Sequence, residues 1–248
     1  MKLADLKVKL FADGADLAGI REVASNPLIK GFTTNPTLMR KAGVEDYERF
    51  AKAAIELIGD RPISFEVFAD DWDEMRAQAL EISSWASNIY VKIPVTDTSG
   101  RSAAPLLRDL ASRGVKLNVT ALLALEQVGE VANAIAEAPS GIVSVFAGRY
   151  ADTGRDPVPM MTKAVEVLRP YRGLELLWAS PRELLNIFHA EAAGCHIITA
   201  TNDVLAKLPL VGKDPLEYSL DTVRMFFDDA RKAAYRIRTA ERPPTRRD

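Results

Sequence analysis

The sequence predicts a closed (β/α)8 barrel, the TIM-barrel class of α/β fold, followed by one extra C-terminal helix. Eight short runs rich in β-branched and aromatic residues alternate with amphipathic stretches over 248 residues, about 30 residues apart, which is the length of one βα unit. Strand number and chain length both match the barrel norm. An open doubly wound sheet is the alternative, but the segment after the first strand, residues 13–16, is too short for a dinucleotide-binding motif.

Residues at the predicted helix ends support several of these elements. Asp156 and Ser180 each precede a proline, which predicts the start of a helix at both places. Gly114 and Gly194 predict helix ends. The predicted strands are residues 8–12, 31–34, 63–68, 89–93, 115–119, 142–146, 174–179 and 195–199, and the clearest helices between them are residues 46–58, 71–86, 101–113, 122–136 and 157–168.

A long helical stretch follows the last strand. It opens at Asp214-Pro215, runs to about Ile237 and carries Met225-Phe226-Phe227 on its apolar side. This extra helix either covers the barrel or docks on a neighbouring subunit. We therefore predict one domain over residues 1–236, and a flexible, charged, proline-containing tail over residues 237–248.

Composition excludes several classes of function. A net charge of −2 and a pI near 5.9 give no reason to expect nucleic acid or a membrane surface as a partner. No apolar run approaches the roughly 20 residues that cross a bilayer, and no signal peptide is expected at the start. The single cysteine, Cys195, fits a core position in a cytoplasmic protein. Two histidines cannot form a three-histidine zinc site within one chain.

One lysine stands out because of the strand that contains it. Residues 89–96 read as a strand buried on both faces, and they include Lys92. Pro94 lacks a backbone N–H and marks the strand's end, which places Lys92 near the edge where parallel α/β proteins keep their active sites. A buried ammonium group costs several kcal/mol unless it is paired or loses its proton. A neutral amine there would form a Schiff base with a carbonyl substrate; the alternative is a lysine that reaches past the strand to water or a carboxylate.

Polar residues gather at the C-terminal ends of the predicted strands. Each alone has an ordinary explanation as a cap, a turn residue or a solvated side chain. Seven strands in succession that deliver such groups to one barrel mouth indicate a site, with arginines on strands six and seven where barrels commonly bind phosphate. The residues are Asp13, Thr34, Asn35, Glu66, Lys92, Asn118, Thr120, Ser144, Arg149, Ser180 and Arg182.

Three segments carry a resemblance to a known family. The segments are residues 31–36 (GFTTNP), 91–96 (VKIPVT) and 146–149 (FAGR). Together they resemble the transaldolase family, whose small members include fructose-6-phosphate aldolase, over about residues 8–208 with the motifs in order. The resemblance implies a barrel enzyme of the pentose phosphate pathway that needs no cofactor and acts on small sugar phosphates.

The resemblance also implies a role for each site residue. Lys92 matches the Schiff-base lysine, and Asp13 the carboxylate that handles protons during carbon–carbon cleavage. Glu66 and Thr120 match the pair that positions the catalytic water. The remaining matches bind substrate: Thr34, Asn35, Asn118, Ser144 and Phe146 around the dihydroxyacetone unit, and Arg149, Ser180 and Arg182 at the phosphate.

Two positions distinguish the branches of that family. Glu66 and Phe146 match transaldolases, whereas free aldolases carry glutamine and tyrosine there. The resemblance therefore implies transfer of a dihydroxyacetone unit, with a free aldolase that releases dihydroxyacetone, or a sugar-phosphate-binding protein without turnover, as alternatives. It further implies a homo-oligomer, either a dimer or rings of five that stack into decamers.

Overall fold

The computed structural model describes residues 3–237, which contain a closed barrel of parallel strands. Each strand pairs with the next in the chain, and the eighth pairs with the first. The open-sheet alternative is therefore wrong. The strands are β1 (Lys9–Asp13), β2 (Ile29–Thr33), β3 (Ile63–Glu66), β4 (Ile89–Pro94), β5 (Leu117–Leu122), β6 (Gly141–Val145), β7 (Leu174–Trp178) and β8 (Ile197–Thr201).

Helices that lie between consecutive strands cover the outside of the barrel, and further helices follow the last strand in the chain. They are α1 (Leu17–Ala24), α2 (Pro36–Lys41), α3 (Tyr47–Ile58), α4 (Trp72–Ser84), α5 (Ala104–Ser112), α6 (Leu125–Ala134), α7 (Ala147–Ala151), α8 (Pro157–Leu168), α9 (Leu185–Ala193), α10 (Asn202–Leu205) and α11 (Pro215–Lys232). Short 3₁₀ turns occupy Leu3–Asp5 and Leu208–Leu210. None of the described helices is both long enough and apolar enough to span a membrane.

The alternation of side chains along each strand builds two separate cores. Residues that point outward pack against the helices in one large apolar cluster. Residues that point inward form a smaller cluster of Phe11, Ile142, Leu177, Ala179 and Ile197. This cluster fills the barrel beneath its mouth, so the polar residues above it rest on a packed floor.

The predicted elements are confirmed, with shifted boundaries. Asp156 caps α8 by accepting from the backbone N–H of Val158 at 2.9 Å, and Gly194 ends α9 with a φ of 79°. The last strand begins two residues later than predicted, because Cys195 is still part of the turn that closes α9 and its N–H donates to the carbonyl of Ala190. Cys195 is buried as expected, and burial raises its pKa to about 12.

One helix start was predicted wrongly. Ser180 is not a helix cap, since α9 begins five residues later at Leu185. The backbone N–H groups of Arg182 and Glu183 donate instead to the side chain of Asn186, at 2.7 and 3.2 Å. This arrangement leaves Ser180 in the turn between strand and helix, where it belongs to the barrel mouth.

The chain forms two compact units, one that ends at Pro209 and one that begins at Leu210. The first contains the whole barrel. The second contains α11, which Asp214 caps by accepting from Leu216 N and Glu217 N. No residue of α11 is buried. The tail predicted for residues 237–248 lies, apart from Ile237, outside the described residues.

Candidate active site

A cavity of about 700 Å³ opens where the strands end. Ten of the residues singled out from the sequence line it: Asp13, Asn35, Glu66, Lys92, Thr120, Ser144, Phe146, Arg149, Ser180 and Arg182. The floor comes from the inward-facing apolar cluster, of which Leu177 and Ala179 reach the cavity wall. One cavity therefore joins the lysine, its neighbouring carboxylates and both arginines.

Lys92 lies deep in this cavity, with its side chain 8% exposed. Its ammonium nitrogen is 3.1 Å from Glu66 Oε2 and donates to the backbone carbonyl of Thr34, also at 3.1 Å. Glu66 stands directly beside Lys92 in the pairing of β3 with β4. The register of two neighbouring strands therefore fixes the ion pair, and Glu66 is placed to receive a proton from the amine.

Asp13 ends β1 on another part of the cavity wall. Its Oδ1 accepts from the hydroxyl of Thr33 at 2.8 Å, and the side chain of Asn35 also hydrogen-bonds to it. Loss of water around the carboxyl raises the pKa of Asp13 above its ordinary value, although the Lys92 charge and these hydrogen bonds oppose the rise. A carboxyl group with a raised pKa is better suited to accept a proton and later return it.

Polar groups from β3, β5 and β6 form a buried chain beside the lysine. Asn118 donates from its amide to Ser64 Oγ at 2.9 Å and accepts from Ser144 Oγ at 2.7 Å. Asn118 is therefore fixed in one orientation, because both sides of its amide are satisfied. It lies opposite Lys92 in the pairing of β4 with β5.

Thr120 differs from these neighbours. Its hydroxyl is buried and has no hydrogen-bond partner among the described residues. A buried hydroxyl without a partner carries a free-energy penalty of about 1–3 kcal/mol. The next residue, Ala121, has a φ of 66°, and the pairing of β5 with β6 shifts between Val119 and Leu122. A bulge at the barrel mouth thus aims Thr120 into the cavity, where a ligand group can bind it.

The arginines stand on the opposite side of the mouth. Arg149, exposed on α7, lies with its guanidinium 5.2 Å from the ring centre of Phe146. Arg182 forms a two-pronged ion pair with Asp152, and this pair, mainly through its hydrogen bonds, holds the pKa of Asp152 below its usual range. An anion that binds Arg182 must therefore share it with Asp152.

Backbone geometry brings the two arginine-bearing segments together. Ser180 has a φ of 61°, which is uncommon for a residue other than glycine. Its carbonyl oxygen lies against Gly148, where an added Cβ would be only 1.5 Å away. Glycine is therefore required at 148, because any side chain would push α7, which carries Arg149, away from the turn that carries Arg182.

A sequence model of the transaldolase/fructose-6-phosphate aldolase family matches residues 10–241. The chain belongs to this family. A relative from Dehalococcoides mccartyi named "Probable transaldolase" is 32% identical over 205 residues, which are 81% of this chain and 90% of the relative. Another with the same name, from Thermoanaerobacter sp., is 33% identical over 231 residues, which are 93% of this chain and 100% of the relative. A third relative, from Lactiplantibacillus plantarum, is 34% identical over 218 residues, which are 86% of this chain and 96% of the relative.

Comparison with solved structures supports the fold of this chain and nothing beyond the fold. The 2,3-dimethylmalate lyase structure matches with a TM-score of 0.53 and 13% identity over 98% of this chain and 89% of that one.

Within residues 3–237, no group of three or more histidine, cysteine or acidic side chains is arranged to hold a metal ion.

Two of the singled-out residues of this family member do not line the cavity. Thr34 is fully buried, and its hydroxyl donates to the carbonyl of Ser64 at 2.9 Å, so it meets Lys92 only through its backbone oxygen. Asn118 lies in the wall of the barrel, bound to its two neighbours. Both support the residues that reach the cavity.

The sequence placed Thr33 at a strand end without a role, and three further polar residues of the site, Ser64, Asp152 and Thr199, were not predicted from it. Thr33 and Ser64 bind Asp13 and Asn118, Asp152 binds Arg182, and Thr199 contacts Thr33. The signal for Ser64 and Thr199 was available, since each lies two positions from another inward-facing residue of its strand. Asp152 had none, because its role depends on how two loops meet.

Proposed function

We propose that the chain is a transaldolase that moves a dihydroxyacetone unit from a ketose phosphate to an aldose phosphate through a Schiff base on Lys92. The observation that carries the proposal is the geometry at Lys92: a buried amine, 3.1 Å from one carboxylate, in the same cavity as a second carboxylate and two arginines. The names of the relatives agree with this activity.

The first step requires a neutral amine. Glu66 takes the proton of Lys92, either directly or through a water molecule that the Thr120 hydroxyl also binds. The amine nitrogen then adds to the C2 carbonyl of the ketose phosphate, and loss of water forms the protonated imine.

The second step breaks a carbon–carbon bond. Asp13 takes the proton of the C4 hydroxyl, the C3–C4 bond breaks, and the electron pair moves to the imine to give an enamine. The aldose phosphate leaves as an aldehyde. An acceptor aldehyde then takes its place, the enamine carbon adds to it, and Asp13 returns the proton to the new hydroxyl. Water finally releases the product ketose and the free lysine.

The arginine side of the mouth supports a phosphorylated substrate. A phosphate at Arg149 and Arg182 would hold the far end of the sugar, so that its carbonyl end reaches Lys92 across the same cavity. Glu66 and Phe146 favour transfer over free aldolase activity. Phe146 lines the cavity with an apolar ring, which offers no hydroxyl to protonate the enamine, so the intermediate persists until an acceptor arrives.

Borohydride trapping tests the Schiff base. The protein is reduced with sodium borohydride in the presence of fructose 6-phosphate, and the modified peptide is identified by mass spectrometry. We expect the adduct on Lys92, and none in the Lys92→Met variant. An adduct on any other lysine overturns the assignment, and binding without any adduct favours a sugar-phosphate-binding protein.

A second assay separates transaldolase from aldolase. Turnover of fructose 6-phosphate is measured with and without erythrose 4-phosphate as acceptor. Transfer requires the acceptor, so we expect sedoheptulose 7-phosphate with it and little free dihydroxyacetone without it. Rapid release of dihydroxyacetone in the absence of acceptor would overturn the transferase assignment in favour of the aldolase.

We also propose a cytoplasmic homo-oligomer. Within α11, the side chains of Leu216, Val223 and Phe227 are at least 60% exposed, and an exposed apolar stripe of this kind marks an interaction surface. The lone buried thiol of Cys195 suits a reducing compartment. Light scattering tests the assembly, where a monomer at micromolar concentration contradicts it, and cell fractionation tests the location.

A further inference from the structure

Thr199, on β8, makes a contact for which the proposed reaction has so far given no role. Its hydroxyl oxygen lies 2.6 Å from that of Thr33, and Thr33 in turn lies 2.8 Å from Asp13 Oδ1. Both threonines are buried, 5% and 2% exposed, and both line the cavity. Three side chains from β8, β2 and β1 therefore form a continuous line of hydrogen-bonding oxygens that ends on the carboxylate.

The order of donors along this line follows from counting protons. An ionised carboxylate only accepts, so the single hydroxyl proton of Thr33 points to Asp13. The proton between the two threonines must then belong to Thr199, which donates to Thr33. If Thr33 turned its proton toward Thr199 instead, a lone pair of Thr33 would face the charged Asp13 oxygen at 2.8 Å.

We propose that Thr199 is a positioning residue for the reaction: by donating to Thr33, it fixes the direction of the Thr33 hydroxyl and strengthens its hydrogen bond to Asp13. Hydrogen bonds in series polarise one another, so each strengthens the next. The effect reaches the oxygen atom that takes the substrate proton, although Thr199 itself does not touch the reacting atoms. This role rests on the proposed function, in which Asp13 is the base.

The line has a consequence for the pKa of Asp13. Burial raises this pKa, and hydrogen bonds to the ionised form lower it. Thr199 should lower the pKa of Asp13, because it strengthens the hydrogen bond from Thr33 to the ionised carboxylate. The charged groups that line the same cavity are Lys41, Glu66, Lys92, Arg149, Arg182 and Asp203. Of these, Lys92 acts on Asp13 directly, and Asp203 accepts from the Thr201 hydroxyl.

Carbon-13 NMR of labelled aspartate tests the inference without any substrate. The Asp13 carboxyl signal is assigned by its loss in Asp13→Asn and titrated in the parent, Thr199→Val and Thr199→Ser proteins. Valine keeps the shape and removes the donor, so we expect the Asp13 pKa to rise by about half a unit. Serine keeps the donor and should leave the pKa within about 0.2 units of the parent. An unchanged pKa in Thr199→Val overturns the proposal.

Kinetics supply the second readout. In Thr199→Val we expect kcat to fall about fivefold with KM within about twofold, because Asp13 is misdirected while the phosphate side is untouched. The acidic limb of the pH profile should move up with the pKa, and Thr199→Ser should restore both. Thr162→Val removes an exposed α8 hydroxyl that donates to a backbone carbonyl and should behave as the parent does.

The remaining outcomes are also decisive. If valine and serine lower kcat equally and leave the acidic limb in place, Thr199 acts through packing and the proposal fails. If Thr199→Val does not fold, Thr199→Ala, which adds no bulk, replaces it in both experiments. If the parent protein forms no borohydride adduct and shows no turnover, the proposed function fails, and the NMR titration still decides whether Thr199 acts on Asp13.

Discussion

Two lysine–glutamate pairs occupy opposite ends of the barrel. At the N-terminal end, Lys9 on β1 lies 2.6 Å from Glu175 on β7, and their side chains are 41% and 29% exposed. At the C-terminal end, Lys92 lies 3.1 Å from Glu66, and their side chains are 8% and 17% exposed. The residue types are the same, so the difference between the pairs comes from water and from the neighbouring groups.

The Lys9–Glu175 pair, at the lower or N-terminal end, is partly exposed to solvent, and described groups near it have hydrogen-bond partners. Lys9 reaches both oxygens of Glu175, and Glu191 accepts from the backbone N–H groups of Lys7 and Val8 at the start of β1. The Lys92–Glu66 pair, at the upper or C-terminal end, is buried. It shares its cavity with the Thr120 hydroxyl, which has no partner within residues 3–237, and with the Asp13 carboxyl, whose pKa is raised. The solvent-screened charges of Lys9 and Glu175 connect two strand ends, whereas the buried Lys92 and Glu66 are placed to react with a ligand in the cavity.

The largest expected effect is at the upper lysine. Lys92→Met should reduce transaldolase activity about a thousandfold or more, because no other amine described in the cavity stands beside a carboxylate at a strand end. Lys9→Met is the matched control. It should keep parental activity and lose no more than about 1 kcal/mol of unfolding free energy, as an exposed ion pair contributes little. Turnover assays measure the activity of both variants, and chemical denaturation measures their unfolding free energy. Equal losses of activity in the two variants would contradict the assignment of the chemistry to the C-terminal end of the barrel.

The second effect separates the two carboxylates of the upper end. Asp13→Asn should lower transfer about a hundredfold or more, since it removes the proton acceptor for carbon–carbon cleavage. Imine formation should survive, because Glu66 still faces Lys92, so borohydride should still trap fructose 6-phosphate. Asp16→Asn keeps a good helix cap three residues away and should be neutral. Loss of trapping in Asp13→Asn would assign Asp13 to an earlier step.

The acidic limb of the pH profile sharpens the same assignment. The pKa of Asp13 is raised by burial, and the base must be ionised to act. Activity should therefore fall as pH drops, at a pH above the ordinary aspartate value. A limb at or below that value would mean that Asp13 is not the group that titrates.

The third effect concerns the arginine side of the mouth. Arg149→Ala should raise KM for fructose 6-phosphate about tenfold and change kcat little, because phosphate contacts bind substrate and transition state alike. With fructose, which lacks the phosphate, parent and variant should differ little. Arg155→Ala removes an arginine that lies 5.9 Å from the Tyr150 ring centre but does not line the cavity, and it should leave KM unchanged. A kcat effect of the same size in Arg149→Ala would contradict a purely binding role.

Sequence reasoning reached the upper end more easily than the lower one. Lys92 was visible because a charged residue interrupts an apolar strand, and Pro94 marked the end of that strand. Period-two alternation then placed the inward residues. Ser64 and Thr199 occupy inward positions of the same kind, but a small hydroxyl side chain is easily buried in a strand and so indicates a site less strongly than a buried lysine does.

Contacts that depend on register or loop geometry could not be predicted. Ser180 preceded a proline and had a glutamate three residues later, which is typical of a helix start, yet the close approach of its carbonyl to Gly148 keeps it in the turn. The ion pair of Arg182 with Asp152 joins two loops about 30 residues apart in the chain. Such pairings follow from the closure of the barrel, which no local pattern encodes.

The smallest expected effect tests the lower end. His196, just before β8, accepts a hydrogen bond at Nδ1 from the N–H of Leu176 at 2.9 Å, which requires Nδ1 to be unprotonated. Burial lowers the pKa of His196, while Glu175 raises it and Lys9 lowers it. Because the unfolded chain then binds the proton first, stability should fall as pH drops below about 6.5 and level off below the folded pKa.

His196→Asn keeps an acceptor near the same place and removes the titration. The unfolding free energy of the parent should therefore fall relative to this variant by about 1 kcal/mol between pH 7.5 and pH 5, while transaldolase activity at pH 7.5 is the same in both. Urea denaturation at the two pH values measures the difference. Parallel pH curves would mean that the ring stays neutral in both states, and lost activity at pH 7.5 would mean that the lower end of the barrel is not purely structural.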